Sequence, residues 1–279
     1  MLVFLYGREP IMPLDFHQVD AFTDQPFAGN PAMVYRLDTW LDEALMQRIA
    51  AEHNLAETAF VVKEGRVWHI RWFTPTIEVP LCGHATLASA KVLFDLYHEA
   101  GDVLQFTCKS GALRVTRQGE RLELDFPVRP LVSVAAALQA DVERALGQPA
   151  QQVLALLNPD GSVQELMVVL GGEAQVREFA PDLPALAALP GLGVLITGAG
   201  ERHDFVSRYF APAIGIAEDP VTGSTHCMLV PYWAERLGRS ELSAFQCSAR
   251  GGELHCRLQG DRVKIAGNAR HIASGQLYL

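Results

Sequence analysis

Two segments of the chain put a glycine and small hydroxyl residues just ahead of a long apolar run. Leu81-Cys82-Gly83-His84-Ala85-Thr86 leads into Leu87–Tyr97, and Asp219-Pro220-Val221-Thr222-Gly223-Ser224-Thr225-His226 leads into Cys227–Leu237. If each run is a helix, its start exposes unpaired backbone N–H groups and a partial positive charge, which together hold an anion. Gly83 and Gly223 let a ligand approach the backbone, and Ser224 and Thr225 add hydroxyl donors. Two such starts facing one cleft would bind a carboxylate and stabilise the enolate left when a neighbouring carbon loses its proton. Taken singly, each is as readily a capped helix start with no ligand; the pairing is what points to a site.

Proton transfer also needs an acid/base, and Asn54-Leu55-Ala56-Glu57-Thr58-Ala59-Phe60 places a carboxylate at a helix-to-strand junction. In an apolar cleft, desolvation favours the acid form of Glu57, as an acid/base working at neutral pH requires. Read alone, Glu57 is more often a solvated turn residue or a cap partner. Asp219 would orient an imidazole or bind a substrate amine, though Asp-Pro also simply starts a turn. His84 would be a second acid/base or a substrate donor, against the plain alternative of a structural histidine. Cys82 is the rival centre, because a thiol beside a helix N-terminus has its thiolate favoured. A two-base cysteine enzyme wants a matching thiol in the other half, where the chain carries Gly223, with Cys227 one turn further in. That demotes the thiol mechanism and leaves Cys82 as a small core residue.

The elements that must position these residues are mostly short strands. Phe16–Phe22, Ala59–Val62 and Val67–Phe73 read as strands, the last putting Trp68, Ile70 and Trp72 on one side. Val103–Thr107, Leu113–Thr116 and Leu122–Phe126 form an antiparallel meander broken at glycines. Asp42–His53 reads as an amphipathic helix with Leu45, Ile49 and Ala50 inward and Thr39 or Asp38 as cap. Asn30-Pro31, after Phe27-Ala28-Gly29, reads as a turn. Pro127 and Pro130 close the first half, which sets two domains at 13–128 and 129–279. The second half repeats the mix, with strands at Glu165–Leu170, Val194–Thr197, Asp204–Phe210, Leu242–Cys247, Glu253–Leu258 and Val263–Ala266. Its helices fall near Val134–Leu146 and Gly223–Leu237, the latter kinked at Pro231. The two all-round apolar helices are buried, so each half is a sheet wrapped around a central helix. The fold class is α+β, a pseudo-duplicate with its site in the cleft between halves.

Composition excludes other classes. The 279 residues are 49% hydrophobic with a net charge of −9, which argues against nucleic acid or an acidic membrane as partner. No apolar stretch reaches the roughly 20 residues of a membrane span. Met1–Tyr6 lacks the basic flank of a signal peptide, and Met12 is a candidate start with residues 1–11 an upstream extension. Five cysteines without a CxxC pair read as free thiols in a reducing compartment, hence a cytoplasmic protein. The nine histidines show no metal-ligand spacing, so no metal is expected.

These segments together resemble the PhzF-like family of phenazine-biosynthesis isomerases. The matching stretches are Val19–Phe22, Pro26–Pro31, Asn54–Phe60, Arg71–Pro75, Glu78–Leu87, Ser207–Pro212, Glu218–Cys227 and Gln246–Gly252, in family order. Asn-x-x-Glu-Thr-Ala-Phe, Cys-Gly-His-Ala-Thr and Glu-Asp-Pro-Val-Thr-Gly-Ser are specific in combination. The resemblance implies the diaminopimelate-epimerase fold, no organic cofactor, nucleotide or metal, and commonly a homodimer. It implies Glu57 as general acid/base, His84 and Asp219 as proton-relay or substrate groups, and Gly83, Gly223 and Ser224 as substrate-cleft residues. Two departures stand out: Ala56 replaces the Ser many relatives carry before the Glu, and Ser133–Val163 matches no family pattern. The expected protein is a cofactor-independent isomerase moving a proton on a small carboxylate-bearing substrate. A cysteine-dependent epimerase or racemase using Cys82, and a non-catalytic carboxylate-binding protein, are the alternatives.

Overall fold

A computed structural model describes residues 13–279, so the reading of residues 1–11 as an extension lies outside the described residues. The first half contains β1 (Leu14–Ala21), β2 (Asn30–Leu37), α1 (Glu43–His53), β3 (Glu57–Glu64), β4 (Val67–Phe73) and β5 (Glu78–Val79). It continues through α2 (Gly83–Asp95), β6 (Val103–Cys108), β7 (Gly111–Gln118), β8 (Arg121–Pro127) and β9 (Val132–Ser133). The second half contains α3 (Ala136–Leu146), β10 (Gln152–Leu157), β11 (Val163–Val169), α4 (Glu173–Glu178), α5 (Leu183–Ala187), β12 (Gly193–Ala199) and β13 (Phe205–Ala211). Then follow β14 (Ile216–Asp219), α6 (His226–Leu237), β15 (Glu241–Gln246), β16 (Gly252–Gln259), β17 (Arg262–Gly267) and β18 (Ala269–Leu277).

The two halves repeat one pairing scheme. β1–β2, β3–β4, β6–β7 and β7–β8 are antiparallel, while β2–β3 and β4–β6 are parallel. In the second half β10–β11, β12–β13 and β15–β16 and β16–β17 are antiparallel, while β11–β12 and β13–β15 are parallel. Antiparallel β8 and β17 join the halves. The short or final strands cross over: β9 pairs with β10, and β18 returns to pair with β1.

Each sheet wraps a central helix. Trp68, Ile70 and Trp72 point into the core around α2, as their alternation predicts, and Phe73 points the other way into the layer under α1. The α6 helix buries Cys227, Met228, Leu229, Val230 and Trp233 in the same continuous core. A second layer, under α3, α4 and α5, covers the outer face of β10–β13.

Three local features differ from the sequence expectation. The α2 helix begins at Gly83, so Gly83-His84-Ala85-Thr86 is its first turn and not a preceding loop. Its polar residues enter the core because Thr86 and Ser89 hydroxyls donate to the Cys82 and Ala85 carbonyls four residues back. The cap of α1 is Asp42, which accepts from the Ala44 N–H at 2.9 Å, and Met46 is buried with Ile49 and Ala50 where Leu45 is only half-buried. Asn30-Pro31 is the start of β2 and not a turn. At Pro231, the Cys227 carbonyl left without an intrahelical donor accepts from the Arg129 backbone N–H at 3.0 Å.

Candidate active site

Glu57 owes its place to Asn54. That residue ends α1 in the left-handed region (φ 50°), which asparagine tolerates, and turns the chain directly into β3. Glu57 is the first residue of β3, in register with Ala32 of β2, and faces the core side shared by Ala59 and Val61. Its side chain is 13% exposed, and its Oε2 lies 3.0 Å from Nε2 of His84. His84 is the second residue of α2 and is buried. On its other edge, Nδ1 lies 3.6 Å from the Cys82 sulfur.

Asn30 ties this group to the second half. Its Nδ2 donates to Asp219 Oδ1 at 2.8 Å and to the Val221 carbonyl at 2.9 Å. Both amide hydrogens are thereby used, so the 3.1 Å approach of Nδ2 to His84 Nδ1 is a contact and not a third donation. The Asp219 Oδ2 accepts from the Thr222 hydroxyl at 2.5 Å. Gln246 braces the turn, donating to the Asp219 carbonyl at 2.7 Å and accepting from the Thr222 N–H at 2.9 Å. The loop that delivers Asn30 is clamped across the halves. Arg250 pairs with buried Asp20 and donates to the Ala28 and Gly29 carbonyls. Gly29 itself has φ +67° and lies where a Cβ would sit 2.2 Å from the Ala21 carbonyl oxygen, so only glycine fits.

The two helix starts meet backbone to backbone: a Cβ on Gly83 would lie 3.5 Å from the Gly223 Cα. Neither start carries a side-chain cap; α6 begins three residues after Gly223, and its first N–H groups, of His226 and Cys227, donate to the Gly223 and Ser224 carbonyls at 3.2 Å. Thr225 does not present a free donor, since its hydroxyl donates to the Thr222 carbonyl at 2.8 Å. Ser224 is half-buried and its hydroxyl has no partner among the described residues.

The charges follow from this packing. Burial opposes a charged His84, but Cys82 and Glu57 on either side outweigh it and hold the imidazole well above the ordinary histidine range. Burial pushes the Asp219 carboxyl up; His84 opposes that shift and Glu57 adds to it. The Cys82 thiol is pushed up to about 11, first by burial and then by the Glu57 charge. A thiolate favoured by the helix start is therefore not what the fold produces, because desolvation and a neighbouring anion win over the helix dipole. Two cavities of about 590 and 610 Å³ lie on the outer flanks of α6 and α2, and neither touches this cluster. Size alone does not mark the chemistry here; the convergence of buried titratable groups does.

The sequence reading singled out Glu57, His84, Asp219, Gly83 and Gly223, and the fold brings all five to one junction. It missed Asn30, whose signal was its place in the Pro26–Pro31 stretch. It also missed that Glu57, Cys82 and His84 converge with ligand-type atoms within 4.8 Å of one another.

Residues 19–275 match the family described as phenazine biosynthesis-like protein. The chain belongs to that family. An uncharacterized isomerase of Pseudomonas aeruginosa is 59% identical over 268 residues, covering 96% of this chain and all of that one. A phenazine biosynthesis-like domain-containing protein of Homo sapiens is 41% identical, over 95% of this chain and 99% of its own length. Among solved structures, a phenazine biosynthesis protein of the PhzF family from Enterococcus faecalis superposes with a TM-score of 0.88 at 47% identity, covering 96% of this chain and all of that one. A hydroxyproline epimerase from Agrobacterium vitis shares the fold at TM-score 0.59 and 10% identity, covering 96% of this chain and 93% of that one. The family membership supports an isomerase or epimerase activity, and the fold is the α+β, epimerase-like duplicate the sequence implies.

Proposed function

We propose that the chain is an isomerase that moves a proton on a small carboxylate-bearing molecule, with Glu57 as the general acid/base and protein groups alone performing the step. The observation that carries this reading is the buried line Glu57–His84–Asn30–Asp219, with 3.0 Å between Glu57 Oε2 and His84 Nε2, set beside two uncapped helix starts. The substrate carboxylate binds the N–H groups of Gly83, His84, Gly223 and Ser224. Glu57 takes the proton from the carbon next to that carboxylate, and the C–H electron pair passes into an enolate held by the same N–H groups. The imidazolium of His84 balances the charge while the proton is on Glu57. Returning the proton to a carbon further along shifts the double bond; returning it to the same carbon inverts or restores the centre. Asp219 and Asn30 hold the imidazole in place and meet the substrate's polar substituents. The five free cysteines fit a reducing, cytoplasmic setting.

Solvent-deuterium wash-in tests this, read by mass spectrometry on a panel of amino acids and dihydro-aromatic carboxylates. Deuterium should enter one compound with the wild-type protein and fall by about 10²- to 10⁴-fold with Glu57→Gln, the usual share of a general acid/base. Exchange that survives Glu57→Gln and disappears in Cys82→Ala would transfer the role to the thiol. A ligand that raises Tm without exchanging deuterium would make the protein a binder.

A further inference from the structure

The proton-transfer reading does not use Phe22, although this residue touches the junction. Phe22 follows directly on β1, is fully buried, and has φ +62°. A bulky residue keeps that left-handed backbone only where its surroundings impose it. Here the second half does so. The Glu253 N–H donates to the Phe22 carbonyl at 3.0 Å, and the next N–H of the chain, that of Thr23, donates to the Asn268 carbonyl at 3.2 Å. Gly267, the last residue of β17, leaves room for the ring: a Cβ there would lie 2.5 Å from Phe22 Cδ1. The far end of the ring meets the site. A Cβ on Gly223 would lie 3.7 Å from Phe22 Cζ and 3.9 Å from Cε2, with the Gly83 Cα 3.6 Å away. Gly223 therefore packs against both the Phe22 ring edge and the backbone that opens α2.

We propose that Phe22 is a positioning residue, whose ring edge fixes Gly223 relative to Gly83 and so sets the spacing of the N–H groups that take the substrate carboxylate. This rests on the reading of the junction as the carboxylate site. The ring divides by atom. Cδ1 and Cε1 fill the space at Gly267, which a leucine still reaches in part, whereas Cζ and Cε2 touch Gly223 and are lost in Phe22→Leu. In a close-packed interior such a gap is felt by its lining, so Gly223 loses the surface that locates it. Phenylalanine also suits the place chemically. It has no donor or acceptor, and sets the spacing without competing for the N–H groups or the anion.

Titrating the isotope-labelled protein with sodium acetate tests this, read by the backbone amide resonances of Gly83, His84, Gly223 and Ser224. Acetate is expected to shift these resonances together in the wild-type protein. In Phe22→Leu the Kd should rise by about tenfold or more, the cost of one badly placed hydrogen bond to a charged group. Phe210→Leu makes the same change to a fully buried ring in the layer under α3, α4 and α5, and should leave the Kd unchanged. Phe22→Met, whose unbranched chain reaches Gly223 again, should recover the affinity. Should Phe22→Leu fail to fold, Phe22→Tyr keeps the ring, adds an oxygen at Cζ against Gly223 and is expected to weaken acetate binding likewise. If those resonances do not respond in the wild-type protein, the carboxylate site and this inference fall together. A Kd unchanged in Phe22→Leu, or raised equally in Phe210→Leu, overturns this inference alone. Acetate binding does not depend on turnover, so a failure of Glu57 as acid/base is read separately, in the deuterium experiment.

Discussion

The two halves of the molecule share a strand plan but place their carboxylates one strand apart. In the first half β2 presents Ala32 and β3 presents Glu57, in register. In the second half the matching pair is Glu165 on β11 and Gly193 on β12. The exchange of small and acidic residues sends the two carboxylates to different partners. Glu57 reaches His84 at the helix junction, whereas Glu165 accepts from the Tyr209 hydroxyl at 2.9 Å in the space that Gly193 leaves open. Burial pushes the Glu165 carboxyl up to about 7, and the Tyr209 hydrogen bond only partly opposes it. The central helices diverge in the same way. Thr86 and His226 each donate to the carbonyl four residues back, at Cys82 and Thr222. Two residues earlier the first helix carries His84, whereas the second half has Ser224 in the turn just ahead of its helix. Duplication provides two equal frames, and a few substitutions reserve one for charge and the other for packing.

The sharpest way to break this comparison is to neutralise each carboxylate in turn. Glu57→Gln is expected to cost about 10²- to 10⁴-fold in deuterium exchange, and Glu165→Gln less than about tenfold. An equal loss in both would mean that both frames take part in the reaction.

The histidines give the next largest effect. Burial holds His226 down to about 4, with its Nδ1 bonded to the Thr222 carbonyl and no anion beside it. A depressed histidine pKa stabilises the fold above the unfolded value near 6.5 and loses that contribution as pH falls towards 4. The loss amounts to roughly 3 kcal/mol at most. His84 has the opposite sign: its contribution is full below about 6.5 and fades as pH rises through its raised value. Urea unfolding between pH 4 and 8 should therefore show a steep acid limb that flattens in His226→Gln. If the limb is unchanged, His226 is not the group responsible.

Smaller still is the contrast between two glycines. A Cβ on Gly193 would sit 2.4 Å from the Tyr209 hydroxyl oxygen, so Gly193→Ala should cost about 1–3 kcal/mol of stability by overpacking. A Cβ on Gly83 meets Gly223 at an ordinary 3.5 Å, so Gly83→Ala should leave Tm nearly unchanged and instead weaken carboxylate binding. Thermal melts of the two variants sharpen the division between packing and binding frames.

Much of this was legible in the chain. The apolar runs after Gly83 and Gly223, the alternation in Val67–Phe73 and the Asn54–Glu57 junction all announce their structures, because their periodicity and local chemistry agree with the final packing. Asn30 was not legible: Asn-Pro after glycine is a sound turn signal, and only the tertiary partners Asp219 and Val221 make it the start of a strand. The start of α2 was placed four residues late because Gly, His and Thr suggest a boundary, while the back-bond of Thr86 makes them helical. The convergence of Glu57 with Cys82 and His84 is a property of sheet and helix together, with no trace in spacing. β18 was missed because Ala269–Leu277 is mostly polar, with little of the alternation a half-buried strand shows.

The exchanged end strands bear on how the chain comes to its shape. His17 on β1 and Ser274 on β18 are hydrogen-bonded although 257 positions apart, so among the described residues the first strand is closed by the last. Such long-range closure has a high loop entropy and is reached slowly. During synthesis the β1 edge stays unpaired until β18 emerges, and an unpaired edge is where a growing chain is most exposed to misassociation.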